Sequence, residues 1–384
     1  MKKFFLAHAC CITLVAVTGV RAATNSSESR LSRPLSIAES LDIAVQQNSA
    51  ILKSKADIKA SHGIEVQTRA IALPRVNISS QYAANEESRS DKFEPRIAGG
   101  TGGATAFDLE FADQHWSADV RIIQSLYEGG RINAALRTAK LTREQALLSH
   151  QTVIADVLRD VRVSYYDVLL AEQLIAVQEA SVKLLQQELS ETRTRFDAGT
   201  VPQFNVLRAE VELANARPRL IRARNAYRIG KDTFATLLGE KVSRDIEEVR
   251  LQLTDKLDAR PVDVKLSEAL AKAFENRTEL AALRKGVALR EQQIIDARSG
   301  YKPSVQLFAG YGAKSSQFSS DLTEELHGWE AGAQLNWNIF DGFLTGGRIE
   351  QAKALRERAD EDVTDVSRRV ELEVRTAWSS FVEA

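Results

Sequence analysis

The chain contains two copies of one pattern, and this internal repeat constrains the fold more than any other feature. Residues 35–82 align without a gap on residues 264–311, an offset of 229 positions (264 minus 35). A second block aligns at an offset of 213 positions, which places Trp116 on Trp329 (329 minus 116). Self-similarity of this kind decides the architecture before any local reading does. Each copy reads as helix, strand, loop, strand and long helix.

The repeat also divides the chain. The first copy covers 23–239, an inter-repeat linker covers 240–263, and the second copy covers 264–384. Pro74 and Pro303 each end a helical pattern, and a period of two begins after them, which predicts strands. The predicted strands are 75–83, 116–127, 304–313 and 329–340, and the predicted loops within each pair are 84–115 and 314–328.

The four predicted strands each have one apolar face, with aromatic residues near the strand ends, and one polar face. Each is about as long as the 9–11 residues that a tilted strand needs to cross a bilayer. Four strands are few for a soluble sandwich, which is the alternative, but strands from several chains can close a barrel and remove every edge. The residues predicted to face lipid are Val76, Ile78, Tyr82, Trp116, Val120, Ile122, Val305, Leu307, Tyr311, Trp329, Leu335 and Trp337.

The longest helical pattern is a hairpin over 131–238 with its tip near residue 199. From Arg131 to Arg195 nothing breaks a helix, and apolar residues recur about every 3.5 positions, which indicates a coiled-coil seam. The returning half carries large and small apolar residues on alternate heptad rows. Pro218 lies inside it and is expected to kink or break the helix. A generic coiled-coil rod is the alternative interpretation.

Residues 1–22 have the pattern of a secretory signal peptide. A pair of lysines precedes an apolar run, and small residues end the segment, so cleavage is expected after Ala22. The two cysteines, Cys10 and Cys11, both lie in this segment. We therefore expect an exported chain that begins at Ala23 and carries no thiol.

Composition and motifs argue against several classes of function. The 51 basic and 52 acidic side chains give a net charge of −1, without the basic excess of a nucleic-acid binder. The sequence has no GxSxG, HExxH or CxxC motif, and its histidines are scattered without partners at ligand spacing. It therefore predicts a protein that is not an enzyme, with no catalytic residues, no cofactor and no metal site.

In their order and spacing these features resemble the TolC-like outer-membrane efflux protein family. The resemblance covers nearly all of the chain after the signal peptide. It rests on the tandem repeat, the prolines before the strands, the turns at 127–131 and 340–342, and the tip segment 195–207. It implies a mainly α fold with membrane β structure. In that fold a trimeric, 12-stranded β-barrel, with four strands per chain, is continued by a periplasmic α-helical barrel of coiled-coil hairpins.

The resemblance also implies a function. It is that of the outer-membrane channel of a tripartite efflux or type I secretion system, in the outer membrane of a Gram-negative-type bacterium and extending into the periplasm. Such a channel is a passive exit duct that forms a homotrimer, contacts outer-membrane lipid, and docks a periplasmic adaptor (membrane fusion) protein and an inner-membrane pump, which sets the substrate. A periplasmic adaptor and a structural coiled-coil protein without a pore remain alternatives. The residues expected to bind the adaptor are Gly199, Thr200, Val201, Pro202, Gln203 and Phe204.

The chain departs from the family pattern in two places. The second turn is longer than the first, because Phe343–Gly346 precede the glycine that matches Gly130. Ala384 matches Ala171, whereas the first copy continues about 68 residues further (239 minus 171). The second hairpin tip, where the family's gate residues lie, and its return helix are absent. We therefore expect a natural gene that runs roughly 70 or more residues further, and we expect 23–384 alone to aggregate or be degraded, because the last helix would expose its apolar seam.

Overall fold

The computed structural model describes residues 33–84, 114–240, 249–258, 262–316 and 321–384. The predicted signal peptide, nearly all of the first interstrand loop and part of the linker lie outside these ranges. The elements of the first copy are β1 (Pro34–Leu35), α1 (Ile37–Gln47), α2 (Ser49–Ala70), β2 (Arg75–Ala84), β3 (Gln114–Glu128), α3 (Arg131–Asp197) and α4 (Gln203–Leu238). The linker and second copy contribute β4 (Gln252–Leu253), α5 (Leu266–Asn276), α6 (Thr278–Arg298), β5 (Ser304–Ser315), β6 (Glu325–Asn336) and α7 (Leu344–Glu383).

The helix that precedes each strand pair is broken once, which the apolar pattern did not predict. Ser36 and Glu39 form the predicted capping box at the start of α1. The helix then stops at Asn48, whose side-chain oxygen caps α2 by accepting the N–H of Ala50 at 2.8 Å. The break between α5 and α6 falls at Arg277, 229 positions later, so the repeat extends to the helix break.

The four long strands form one antiparallel sheet in the order β2-β3-β5-β6. Its register places Ile78 opposite Val120, Val120 opposite Tyr311, and Tyr311 opposite Trp329. Because side chains alternate between faces along a strand, these four lie side by side on one face. The period-two pattern therefore identified one continuous apolar surface.

The predicted end of the fourth strand was wrong. The first three strands extend at most two residues beyond their predicted bounds, whereas β6 begins four residues early and ends at Asn336 instead of residue 340. Trp337, predicted on the lipid-facing strand, thus lies just beyond it. The reason is pairing: Asn336 faces Ser304, the first residue of β5, so the alternating residues after Asn336 have no described strand beside them.

The long hairpin has its predicted bounds, with α3 beginning at Arg131 and α4 ending at Leu238. Pro218 does not break the helix, because α4 runs from Gln203 to Leu238 without interruption. Proline has no N–H, so Pro218 leaves the carbonyl of Ala214 without its donor within the helix. Both residues are exposed, so water can satisfy that carbonyl. In the described part of the chain, no helix combines the length and the hydropathy needed to span a bilayer.

One buried cluster joins the base of the hairpin to the start of the chain. Tyr165 of α3 is fully buried and packs edge-on against Phe234 of α4, with ring centroids 5.8 Å apart. The Tyr165 hydroxyl lies 2.8 Å from Oδ2 of Asp255 and 3.0 Å from the carbonyl oxygen of Leu35. Burial raises the pKa of Tyr165, and the hydrogen bond to Asp255 raises it further. The parallel pair β1 and β4, too short to predict from sequence, completes this cluster.

Candidate functional site: the hairpin tip and the apolar sheet face

The tip of the hairpin is a tight reversal built on a glycine. Gly199 has φ +73°, a conformation that glycine adopts without strain, and its N–H donates to the carbonyl of Phe196 at 2.8 Å. Thr200 donates its N–H and its hydroxyl to the carbonyl of Arg195, at 2.9 and 2.8 Å. Pro202 then precedes the first turn of α4. The end of α3 is thereby capped, and the turn is fixed in one shape.

The outer surface of this turn includes exposed apolar side chains. Phe204 is 70% exposed, and Leu207, one turn further along α4, is also exposed. The structure brings the six predicted tip residues together in the turn and the first two residues of α4. Leu207 and Phe196 were not among them. Phe196, seven residues after the buried Leu189, lies on the same heptad row of α3 but is exposed beside the turn.

Behind the tip, the two helices are held together by a narrow apolar seam and by ion pairs. Leu189 of α3 packs on Ala209 and Leu213 of α4, and all three are buried. Arg193 and Glu210 form a salt bridge across the hairpin at 2.6 Å. The small residue in the seam allows the helices to approach closely, as the heptad pattern predicted. The hairpin is therefore a defined support for the exposed turn.

The apolar face of the sheet is the second candidate surface. The register places every predicted lipid-facing residue on this face except Trp337, which follows β6. Ile78 and Trp329 are each 79% exposed, and only Trp116 and Val305 of the twelve are partly covered. A soluble monomer rarely exposes so continuous an apolar surface, and such surfaces mark contacts with membrane or protein.

The opposite face of the sheet is polar, and sequence analysis assigned it no site residues. Ser79 donates its hydroxyl to Asp119 at 2.7 Å. The guanidinium of Arg121 lies over the ring of Phe308, 4.5 Å from its centroid, and 3.6 Å from Glu330. The same period-two pattern that identified the apolar face could have identified these residues. One sheet thus carries an apolar face and a polar face.

Comparisons with known proteins identify the family. Residues 41–240 and 269–383 match the family model described as outer membrane efflux protein. The chain belongs to this family. It is 25% identical to protein CyaE of Bordetella pertussis over 326 residues and 23% identical to outer membrane protein TolC of Escherichia coli over 365 residues. These alignments cover 85% and 90% of this chain, but only 65% of CyaE and 68% of TolC.

The fold of this outer membrane efflux family chain is also that of solved structures. The outer membrane protein VceC of Vibrio cholerae superposes with a TM-score of 0.70 at 17% identity, over 90% of this chain and 78% of VceC. The resemblance inferred from the sequence is therefore confirmed, as are the mainly α fold with a β part and the outer-membrane location. Among the described residues, no cluster of His, Cys, Asp and Glu could hold a metal ion.

Proposed function

We propose that this protein is the outer-membrane channel component of a tripartite efflux or type I secretion system, acting as a passive exit duct. The observation that carries the proposal is the sheet with one exposed apolar face and one charged face, joined to a long helical hairpin. Lipid would cover the apolar face, and water would fill the side of Asp119 and Arg121. Transport along such a duct needs no catalytic step, so the energy and the choice of substrate would come from the inner-membrane pump.

The channel requires more than one copy of the chain. A sheet in the bilayer cannot leave an edge unpaired, because lipid offers no hydrogen bonds to its N–H and C=O groups. Among the described strands, β2 and β6 each pair on one side only. Three copies of a four-stranded sheet would close a barrel of 12 strands, wider than the eight-stranded barrels that side chains fill. A homotrimer therefore supports both closure and a lumen.

The hairpin would carry the duct into the periplasm. At 1.5 Å per residue, the 67 residues of α3 extend about 100 Å from the sheet. The exposed turn lies at the far end, where Val201, Pro202 and Phe204 offer apolar surface to another protein. We infer that this turn docks a periplasmic adaptor protein, which links the channel to the pump.

Conductance of the full-length protein in a planar lipid bilayer tests the proposal. A trimeric duct should give discrete, reproducible ion conductance, and detergent should be needed to keep the purified protein in solution. A matched preparation from cells that lack the gene controls for contaminating porins. A detergent-free soluble protein without conductance would contradict the proposal and favour a periplasmic adaptor or a coiled-coil protein without a pore.

A further inference from the structure

The two repeats of the sheet are related without any slip in register. In the first copy Arg75 lies opposite Ile123, and in the second Ser304 lies opposite Asn336. Residue 304 is 229 positions after 75, and residue 336 is 213 positions after 123, which are the offsets of the sequence repeat. Each strand pair is thus a copy of the other, residue for residue, and a pairing made by one copy can be translated to the other.

The pairing between β3 and β5 has a counterpart that one chain cannot make. It joins the second strand of the first copy to the first strand of the second copy. Adding 213 to the β3 positions and subtracting 229 from the β5 positions converts this pairing into one of β6 with β2. These two strands are the edges of the described sheet. Ser125, which lies opposite Gln306, translates to Asn338, and Gln306 translates to Asn77. A β2 strand from a second copy is therefore required.

The short end of β6 is explained by the same missing partner. β3 continues beyond its last pair with β2, and its residues 124, 125, 127 and 128 pair with β5 alone, around a bulge at Leu126. Their counterparts in the second copy are residues 337–341, which lie outside any strand although their sequence keeps the period of two. The difference lies in the neighbouring strands: in the described part of the chain, β3 pairs with both β2 and β5, whereas β6 pairs with β5 alone.

The turns after these strands show the same asymmetry. Gly129 and its counterpart Gly342 share φ +65°, yet only Gly129 is in close contact. A Cβ placed on Gly129 would lie 2.7 Å from the carbonyl oxygen of Ser299, whereas a Cβ on Gly342 would meet nothing within 4 Å. Ser299 translates to Ala70, at the end of α2. The open space at Gly342 is thus where the end of α2 from a second copy would pack.

We propose that residues 337–341 become a strand only against residues 75–78 of a second copy, with Asn338 opposite Asn77. The inference rests on the proposed trimer and goes beyond it, because it fixes the register and names a segment that forms its structure at the seam. On the apolar face, Trp337 would lie opposite Ile78 and Phe340 opposite Val76; Phe340 is 76% exposed in the single chain.

The charges at the seam fit this register. The bulged pairing of Glu128 with Ser304 translates to Asp341 opposite Arg75 of the second copy. Opposite charges that face each other across two strands stabilise the pairing, whereas like charges oppose it. A register shifted by one residue would place every side chain of the segment on the wrong face. The translated register is therefore the one that keeps the apolar face continuous around the assembly.

Disulfide cross-linking tests the register. Residues 23–384 contain no cysteine, so within this stretch the only thiols are those of the introduced pair. Asn338→Cys with Asn77→Cys, and Leu335→Cys with Ser80→Cys, are two in-register pairs three residues apart. Directly opposed residues alternate between closer and wider pairs, so these two sample both kinds. After oxidation of the full-length protein in outer membranes, at least one should give covalent dimers and trimers on a non-reducing gel, and reductant should remove them.

Two controls use the chain's own geometry. Ser125→Cys with Gln306→Cys is the counterpart of the Asn338 and Asn77 pair within one chain and should oxidise without forming a ladder. Asn338→Cys with Ile78→Cys is displaced by one residue and should not cross-link, because the side chains lie on opposite faces. Cross-linking of Asn338→Cys with Ser79→Cys in place of Asn77→Cys would overturn the register.

The remaining outcomes separate this inference from the proposed function. If neither in-register pair cross-links while a lysine-reactive reagent still traps trimers and conductance persists, the seam is built differently and only this inference fails. If trimers and conductance are absent from the unmodified protein as well, the proposed function fails and the seam fails with it.

Discussion

Replacing Asn48 by alanine removes two structural roles of one side chain. Asn48 is 6% exposed at the break between α1 and α2. Its Oδ1 accepts the N–H groups of Ala50 at 2.8 Å and Ile51 at 3.4 Å, and its Nδ2 donates to the carbonyl of Leu237 at 2.7 Å. The Leu237 carbonyl belongs to the last turn of α4, where carbonyls have no partner within the helix. Asn48 therefore starts one helix and satisfies the end of another.

The cost of Asn48→Ala follows from these contacts. Loss of an N-cap costs about 0.5–2 kcal/mol of the free energy of unfolding. A buried carbonyl left without its donor costs about 1–3 kcal/mol. Together they predict a loss of about 1.5–5 kcal/mol. An unfolding entropy of about 2.1 cal/mol/K per residue, applied to the 362 residues after the predicted signal peptide (384 minus 22), converts this loss into a decrease in Tm of about 2–7 °C.

The assay is thermal unfolding followed by circular dichroism at fixed protein and detergent concentration, because assembly makes Tm depend on concentration. Asn48→Ser is the matched variant, since serine can cap α2 but cannot reach Leu237. It should lose only the contribution of the Leu237 contact and fall between the wild type and Asn48→Ala. A Tm for Asn48→Ala within 1 °C of the wild type would refute the reasoning. Equal losses in both variants would show that the cap contributes nothing.

Two further predictions concern the tip and an ion cluster. Phe204→Glu should impair co-purification of the adaptor while trimers persist. Ala214→Glu places the same charge on an exposed face about three turns further along α4 and should leave co-purification unchanged. Loss of trimers with adaptor binding retained would assign Phe204 to packing instead. Burial would raise the pKa of Glu65, but the hydrogen bond from Arg143 at 3.0 Å and the charges of Arg69 and Arg143 hold it below its usual range. The stability that Glu65 contributes is therefore present above its unfolded-state pKa and is lost as pH falls through the lower folded-state pKa. Glu65→Gln should lower the denaturant midpoint at pH 7 and flatten its dependence on acid pH, and an unchanged acid profile would contradict this.

The period of apolar residues was sufficient to predict the sheet face and the hairpin seam. In both features the same contact repeats along the element, so residues at that spacing all lie on one face and share one environment. The residues of the heptad rows through Leu213 and Ala209 are buried or half-buried, as their spacing predicted. The signal peptide at 1–22 lies outside the described ranges and stays a prediction, as does the binding of an adaptor at residues 199–204. Periodicity therefore predicts well where a structure repeats.

Features set by a single contact could not be predicted in this way. The helix break at Asn48 is not marked by a proline or a glycine. Its counterpart Arg277 makes no side-chain capping hydrogen bond, so a comparison of the two repeats does not identify Asn48 as a cap. Pro218 carries a strong breaker signal, yet α4 continues because its lost hydrogen bond faces water. The end of β6 depends on a strand that is not in the same chain. In each case the outcome depends on the group that packs against the residue in three dimensions, and the spacing of residues along the sequence does not give that group.

The helix α3 carries a second apolar stripe, and this stripe bears on the assembly. One seam faces the chain's own core and includes the buried Val161, Tyr165 and Val168. The other stripe is exposed and recurs at intervals of three, four and seven residues, through Val163, Tyr166, Leu170, Leu174, Val177 and Leu184. A helix in an isolated two-helix hairpin needs one seam, whereas a helix in a closed ring of coiled coils has a neighbour on each side and needs two. The unpaired edges of the sheet therefore need a neighbouring strand, and the second seam of α3 needs a neighbouring helix at the other end of the molecule. A partner that supplies both a strand and a helix along the whole length is most simply a second copy of this chain.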